Sequence, residues 1–291
     1  MSELKKPEPL IKWAGGKRQL LDKIVDKLPK EFNNYYEPFI GGGAVLFGLS
    51  DLLADKEVTI NDINKELVNL YKVVKNNHLE FIKLLEKKDK AHDEALDKKE
   101  FYLKTRKQYN DMILFPDKYN DEERASTMVY INKHCFNGLY RVNSKGLFNV
   151  PFNNKKSGQS YSIDNVLAVS DFLNVLSNNK GLNIMLGDFE KAVKTVQKKD
   201  FVFFDSPYAP LSGGSFESYA KEGFSYNEHV RLAKLFKELS NKGVYCMLTN
   251  HNTDLINELY KDYNIEVVLV KRMINSDATN RVGEEVIITN Y

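Results

Sequence analysis

The apolar run Phe201, Val202, Phe203, Phe204 stops abruptly on Asp205, Ser206, Pro207, Tyr208. Four large apolar residues without polar alternation suit a strand buried on both faces, as in a parallel sheet covered by helices. Pro207 pushes Ser206 away from helical conformations, so the chain leaves the strand there in an extended form. Ligands of such sheets bind beyond the carboxyl ends of the strands, where Asp205 and Tyr208 emerge. An acid beside an aromatic ring at that place suits a flat, amine-bearing substrate such as a nucleobase. An Asp and a Pro also mark ordinary strand exits, so four residues alone leave both readings open.

Three further segments narrow the choice. Glu37, Pro38, Phe39, Ile40, Gly41, Gly42, Gly43 follows a short strand at 35–36 and precedes the apolar stretch 44–49, which suits a helix. Glycines in a strand-turn-helix let the backbone approach a ligand, and the helix start offers free N–H groups. The dinucleotide fingerprint needs a glycine at position 46, which is Leu46, so NAD is disfavoured. Gly15, Gly16, Lys17 is no phosphate loop either, since Ile11 and Arg18 stand where Gly and Ser or Thr are required. Strand Val58–Asp62 ends on an acid nineteen residues past Gly43, the reach at which a carboxylate meets a ribose diol. Asp62 could equally cap a helix starting near Asn64, because Leu67, Leu70, Tyr71 and Val74 follow at helical spacing. Lys12, Trp13, Ala14, Gly15, Gly16, Lys17 holds the only tryptophan, which could be core as readily as ligand contact.

Together these segments resemble the Dam-type, D12-class S-adenosylmethionine-dependent DNA adenine-N6 methyltransferases, GATC-specific group, over nearly the whole chain. That family runs Lys-Trp-x-Gly-Gly-Lys, Phe-x-Gly-x-Gly, a strand-end acid, a recognition region, then Asp-Pro-Pro-Tyr. The resemblance is most specific at Phe136, Asn137, Gly138, Leu139, Tyr140, Arg141, Val142, Asn143 and at Phe148 to Pro151, which look like the segment that reads GATC. It implies Asp205, Ser206, Pro207 and Tyr208 as catalytic residues. It implies Trp13, Ala14, Gly15, Lys17, Glu37, Phe39, Gly41, Gly43, Asp62, Asp188, Phe189 and Asp205 as cofactor contacts, the cofactor being S-adenosylmethionine. On the DNA side it implies Lys12 for the outer guanine, Phe136 and Asn137 for the gap left by a flipped adenine, and Arg141 for a guanine. Leu139 and Pro151 then meet thymine methyls, with Asn143 in the same segment.

Composition supports a DNA face independently. Residues 124–163 hold no Asp or Glu, where the chain average of 40 acids in 291 residues would place about five. The window carries Arg124, Lys133, Arg141, Lys145, Lys155 and Lys156, with Tyr130, Phe136 and Tyr140 interleaved, as a phosphate-tracking surface requires. A solvated loop of skewed composition is the bland alternative. Net charge is only +2, so any DNA affinity comes from a local patch.

The rest of the chain sets limits. Cys135 and Cys246 fit no zinc spacing, five scattered histidines include no i, i+4 pair, and no apolar run spans a bilayer, so we expect a reduced, cytoplasmic protein without a metal. Residues 1–75 read as two strand-helix units and 181–291 as further strands and helices, closing on an antiparallel pair, 267–273 with 285–291. Residues 76–180 lack alternating strands. The expected fold is α/β: a Rossmann-like methyltransferase sheet with helices on both faces, formed by residues 1–75 and 181–291, interrupted by a mostly helical target-recognition domain at 76–180.

The expected chemistry is methyl transfer to N6 of a flipped adenine, in duplex DNA containing GATC, with no membrane involved. A companion restriction endonuclease is not visible in one sequence. The alternatives are a catalytically impaired DNA-binding relative, or methylation of cytosine N4 or RNA adenine. Two departures from the family stand out: Asn153 and Asn154 where close relatives carry a basic run, and Ser206 where the family has proline. Serine leaves the torsion of its carbonyl freer, so a proline there should sharpen the acceptor and speed transfer.

Overall fold

A computed structural model describes residues 5–13, 15, 17–154, 158–211, 224–271 and 282–291. Ala14, Gly16, Lys155, Lys156 and Met273 lie outside the described residues. The chain divides into two compact units, Met1–Gly16 with Gly41–Ala54 and Asp62–Asn179, and Lys17–Ile40 with Asp55–Asn61 and Lys180–Tyr291.

The second unit carries the sheet. Its strands are β1 (Tyr35–Glu37), β2 (Val58–Asp62), β3 (Leu182–Leu186), β4 (Phe201–Phe204), β5 (Tyr245–His251), β6 (Asn264–Lys271) and β7 (Val282–Thr289), in the order β3-β2-β1-β4-β5-β7-β6. β2, β1, β4 and β5 pair in parallel, and β7 runs antiparallel to β5 and β6. The expected closing antiparallel pair is present, with β7 threaded between β5 and β6 and β6 at the edge. The order reverses between β1 and β4, which places a topological switch point at the exits of Glu37 and Phe204.

All four residues of β4 are buried. Their alternation splits them between two faces: Tyr36, Val202, Phe204, Cys246, Leu248, Val286 and Ile288 line one, packed by Phe189, Leu232, Phe236, Leu239 and Tyr260. Phe201 points the other way, against Tyr35 and Phe32. Leu232, Phe236 and Leu239 belong to helix Tyr226–Asn241, started by Ser225, whose side chain accepts from Glu228 N. Each fully buried side chain of this kind contributes about 1.5–3 kcal/mol.

The first unit is mostly helical. Its helices of more than one turn are Ala44–Gly48, Lys65–Glu94, Lys98–Leu114, Asp121–His134 and Ile163–Asn179. Asn64, not Asp62, caps Lys65–Glu94, its side chain accepting from Glu66 N and Leu67 N; Asn77 breaks this helix with φ −136° and ψ 36°. Helix Asp121–His134 opens with a capping box between Asn120 and Glu123 and is buried from Arg124 through Asn132.

That burial corrects part of the expected DNA surface. Arg124 is buried in an ion pair with Glu66, Nη2 to Oε1 at 2.6 Å, and a second with Asp121 at 3.1 Å. Tyr130 is wholly buried and bonded to His92 Nδ1 at 2.6 Å. The first third of the acid-free window is therefore core, and it lacks acids because cores exclude them. His134 is packed against the rings of His92 and Tyr130.

Candidate active site and DNA interface

Parallel register builds the strand-end site. Phe204 pairs with Leu248, so the next positions, Asp205 and Thr249, share a face, and Ser206 and Asn250 share the opposite one. Thr249 Oγ1 donates to Asp205 Oδ1 at 3.1 Å. Lys17 Nζ lies 2.6 Å from the same oxygen, with its side chain only 3% exposed, and sits 4.6 Å above the Tyr208 ring centre. Burial pushes the Asp205 carboxyl up, while the Lys17 ammonium and the Thr249 hydroxyl pull it down. The Tyr208 hydroxyl donates to Glu285 Oε2 at 2.8 Å, and its ring meets His251 edge-on at 4.7 Å. Burial, then Asp205 and Glu285, hold that phenol well above its ordinary range, so it stays a neutral ring.

Ser206 is not the loosely held residue its sequence suggests. It is buried, and Asn250 Nδ2 donates to its hydroxyl at 3.3 Å, while Asn250 Oδ1 accepts from Ala209 N at 2.8 Å. His251 Nδ1 donates to Ala209 O at 2.8 Å. Thr249, Asn250 and His251, consecutive on β5, thus hold the loop after β4 at three points.

The same unit gathers Phe39, Phe189 and Phe224, with centroids 5.2–6.1 Å apart. Asp188 caps the short helix Phe189–Ala192, accepting from Glu190 N at 2.9 Å, and its other oxygen pairs with Arg231. Arg231 also reaches Glu190 at 2.9 Å and Glu228 at 3.0 Å and lies 4.3 Å above the Phe189 ring. Sequence reasoning missed Arg231, whose only local signal is Glu228 three residues before it. Glu37 is buried, accepting from the Tyr35 hydroxyl at 2.7 Å.

In the first unit the glycine turn forms as expected. Gly41 has φ +48°, and a Cβ there would stand 2.9 Å from Trp13 Cδ1. Gly43 has φ +75°, with the Tyr71 hydroxyl 2.6 Å from the place of a Cβ. Only glycine meets both demands. Gly41 N donates to Asp62 Oδ2 at 3.1 Å, Asn64 N donates to Oδ1 at 2.9 Å, and Tyr71 OH donates to Gly41 O at 2.9 Å. Tyr71, expected only as a helix-face residue, is thus a brace of the turn. Trp13 is half-buried, stacked on Tyr140 with centroids 4.9 Å apart. Gly15 is exposed.

The recognition segment is a short hairpin, with bridges Cys135 to Phe152 and Val142 to Phe148. Helix Lys98–Leu114 pins one side: Tyr102 OH donates to Val150 O at 2.9 Å, and Asn110 exchanges two bonds with the Phe148 backbone. Phe148 and Val150 are buried; Arg141, Asn143, Asn137 and Pro151 are exposed, Leu139 partly so, and Phe136 is 50% exposed. Arg141 Nε donates to Asn149 Oδ1 at 2.8 Å, and Asn143 Oδ1 accepts from Lys145 N and Leu147 N, closing the tip. Asn132 clamps the Lys12 backbone from both sides and reaches Gly138 O, so Lys12 is fixed beside the segment. Tyr140 is committed to Trp13 and to Tyr109 rather than offered to a base.

The profile of the D12 class N6 adenine-specific DNA methyltransferases matches residues 13–274. The chain belongs to that family. The methyltransferase is 44% identical over 286 residues to the Type II methyltransferase M1.LlaDCHI of Lactococcus lactis subsp. cremoris, covering 97% of this chain and 95% of the relative. It is 40% identical over 298 residues to the Type II methyltransferase M.MjaIII of Methanocaldococcus jannaschii, covering 98% and 99%. With the DNA adenine methylase of Haemophilus influenzae it shares 31% identity over 292 residues, covering 98% and 94%. The enzyme is accordingly an adenine-specific DNA methyltransferase whose methyl donor is S-adenosylmethionine. Among the described residues no helix is long and apolar enough to cross a membrane.

Proposed function

We propose that the enzyme methylates N6 of an adenine turned out of duplex DNA at GATC. Asp205 carries this reading: a carboxylate at the exit of a wholly buried strand, with an aromatic ring three residues on held by its hydroxyl to Glu285. The N6 lone pair is delocalised into the ring and weakly nucleophilic. Acceptors for its two hydrogens favour a more tetrahedral nitrogen as the new bond forms. The Asp205 carboxylate accepts one hydrogen, the Ser206 carbonyl the other, and Tyr208 stacks on the base.

S-adenosylmethionine, when bound, supplies the methyl group on a sulfonium. The residues suit it. Gly41 and Gly43 leave no Cβ at the turn, and the Asp62 carboxylate, which accepts from the N–H groups of Gly41, Asn64 and Ile63, has about four lone-pair sites and so keeps acceptor capacity for a diol. Phe39, Phe189 and Asp188 offer rings and an acid to an adenine. Trp13, Gly15 and Glu37 complete the cofactor residues of the described chain, while the Lys17 ammonium is turned to Asp205.

Residues 76–180 are assigned to DNA recognition and 1–75 with 181–291 to catalysis. Arg141 would read a guanine, Lys12 the outer guanine, Leu139 and Pro151 thymine methyls, with Phe136 and Asn137 bracing the emptied stack beside Asn143. A partner endonuclease is in keeping with the Type II names of two relatives. The test is transfer of labelled methyl from S-adenosylmethionine to duplexes with and without GATC, followed by nucleoside analysis. N6-methyladenine only in the GATC duplex supports the reading; equal labelling of both duplexes, or methylated cytosine, defeats it.

A further inference from the structure

Lys17 has a position that a cofactor contact does not require. It follows a loop near the start of the chain, yet its ammonium is buried against Asp205 Oδ1 and over the Tyr208 face. A buried ammonium beside a half-buried carboxylate favours the charged form of both, because leaving the ammonium alone in that site is costly.

We propose that Lys17 is a positioning residue for methyl transfer, holding Asp205 as an ionised hydrogen-bond acceptor and fixing its carboxylate beside the Tyr208 ring. This rests on the reading of Asp205 as acceptor of an N6 hydrogen. The N6 lone pair forms the N–C bond as the C–S electron pair returns to sulfur. The positive charge then on N6 is lost when one of its hydrogens leaves as a proton to water. Asp205 stays charged throughout and directs the lone pair rather than acting as the base.

Several other groups act on Asp205. Thr249 donates to it from β5, Glu285 on β7 repels it, and the phenols of Tyr208 and of Tyr35 on β1 feel its charge. Glu37 bonds to Tyr35, and His251 packs on Tyr208, both one step removed. Lys17 is the cation among these groups, so removing its charge leaves burial and Glu285 to favour the protonated carboxyl.

The experiment follows single-turnover methylation from pH 5.5 to 9 in the wild type, Lys17→Gln and Lys17→Arg. Gln keeps a donor for Asp205 without the charge and is the variant best placed to fold. The acid limb of Lys17→Gln should move up by a unit or more, so that its rate falls furthest below wild type at the acid end of the range and comes closest to it at pH 9. Lys17→Arg should restore the position of the limb. Affinity for S-adenosylhomocysteine, by calorimetry, should change less than threefold. An unmoved limb overturns the proposal, and an unmoved limb with a tenfold loss of affinity marks Lys17 as a cofactor ligand instead. Carboxyl titration of Asp205 by NMR in the ligand-free chains repeats the comparison without DNA. If the wild type methylates no duplex, the acceptor reading fails while the titration still decides whether Lys17 holds Asp205 ionised.

Discussion

Asn250 and Ser206 form a buried pair, Nδ2 to Oγ at 3.3 Å, and the same amide fixes the Ala209 N–H at 2.8 Å. Asn250 thus spans the loop that carries Asp205 and Tyr208 and joins it to β5. Where the family places a proline ring, this chain places a hydrogen bond. The direction expected from sequence therefore reverses. Ser206→Pro removes the acceptor of a buried amide, costing about 1–3 kcal/mol of stability, and should slow single-turnover methylation. A double-mutant cycle with Asn250→Ala measures the link: the two changes should be clearly non-additive. Equal effects of Ser206→Pro in both backgrounds, or a faster enzyme, would count against the pair.

What was legible in the sequence was local. The exit of β4 onto Asp205, the Gly41–Gly43 turn and Asp62 at the end of β2 follow from strand burial, glycine and spacing over short distances. Lys17 beside Asp205, Asn250 on Ser206 and Arg231 on Asp188 arise from strand order and loop return, and no local pattern announces them. Arg124 and Tyr130 were misread for a different reason: a stretch without acids is produced as readily by a buried helix as by a surface that meets phosphates. The periodicity that usually separates the two is weak where a helix is buried nearly all round.

Arg141 is exposed at the hairpin, its guanidinium steadied by Asn149 and its backbone by the bridge at Val142 and Phe148. A base-edge contact from this side chain discriminates by about 1–3 kcal/mol, or roughly tenfold to hundredfold. Arg141→Ala should lower the ratio of GATC to non-cognate rates by that factor with less effect on total DNA binding. Lys145→Ala, at the exposed tip, should weaken binding to all sequences alike and flatten its salt dependence. An unchanged rate ratio in Arg141→Ala removes the base contact.

His229 on helix Tyr226–Asn241 is buried, its ring edge-on to Phe224 at 4.8 Å, and burial pushes its imidazole down to about 4. The folded value lies below the ordinary histidine value of 6.5, so between these limits the unfolded chain binds the extra proton. Stability from His229 is full above pH 6.5 and is lost as pH falls toward 4, by about 2–3 kcal/mol. Urea unfolding at pH 7 and pH 5 should show the loss, and His229→Gln should reduce the slope between them. A residual slope from His92, lowered by its own burial and by His134, should remain. An identical slope in the variant assigns the loss to other groups.

Arg231 holds three acids and covers one ring of the proposed adenine subsite. It is about a third exposed, so its ion pairs contribute little to stability, on the order of 1 kcal/mol or less each. Its planar fork instead sets the orientation of Asp188 while its guanidinium carbon stands over the Phe189 ring, two tasks a single ammonium cannot combine. Arg231→Met should therefore weaken S-adenosylhomocysteine binding, by roughly tenfold for about 1.4 kcal/mol, and raise KM for the methyl donor while leaving kcat near its original value. Arg231→Lys should fall between the two, since it keeps the charge and loses the fork. Melting temperature should hardly move in either variant. A fall in kcat at saturating donor with KM unchanged would place Arg231 in the transfer step and refute its role at the adenine subsite.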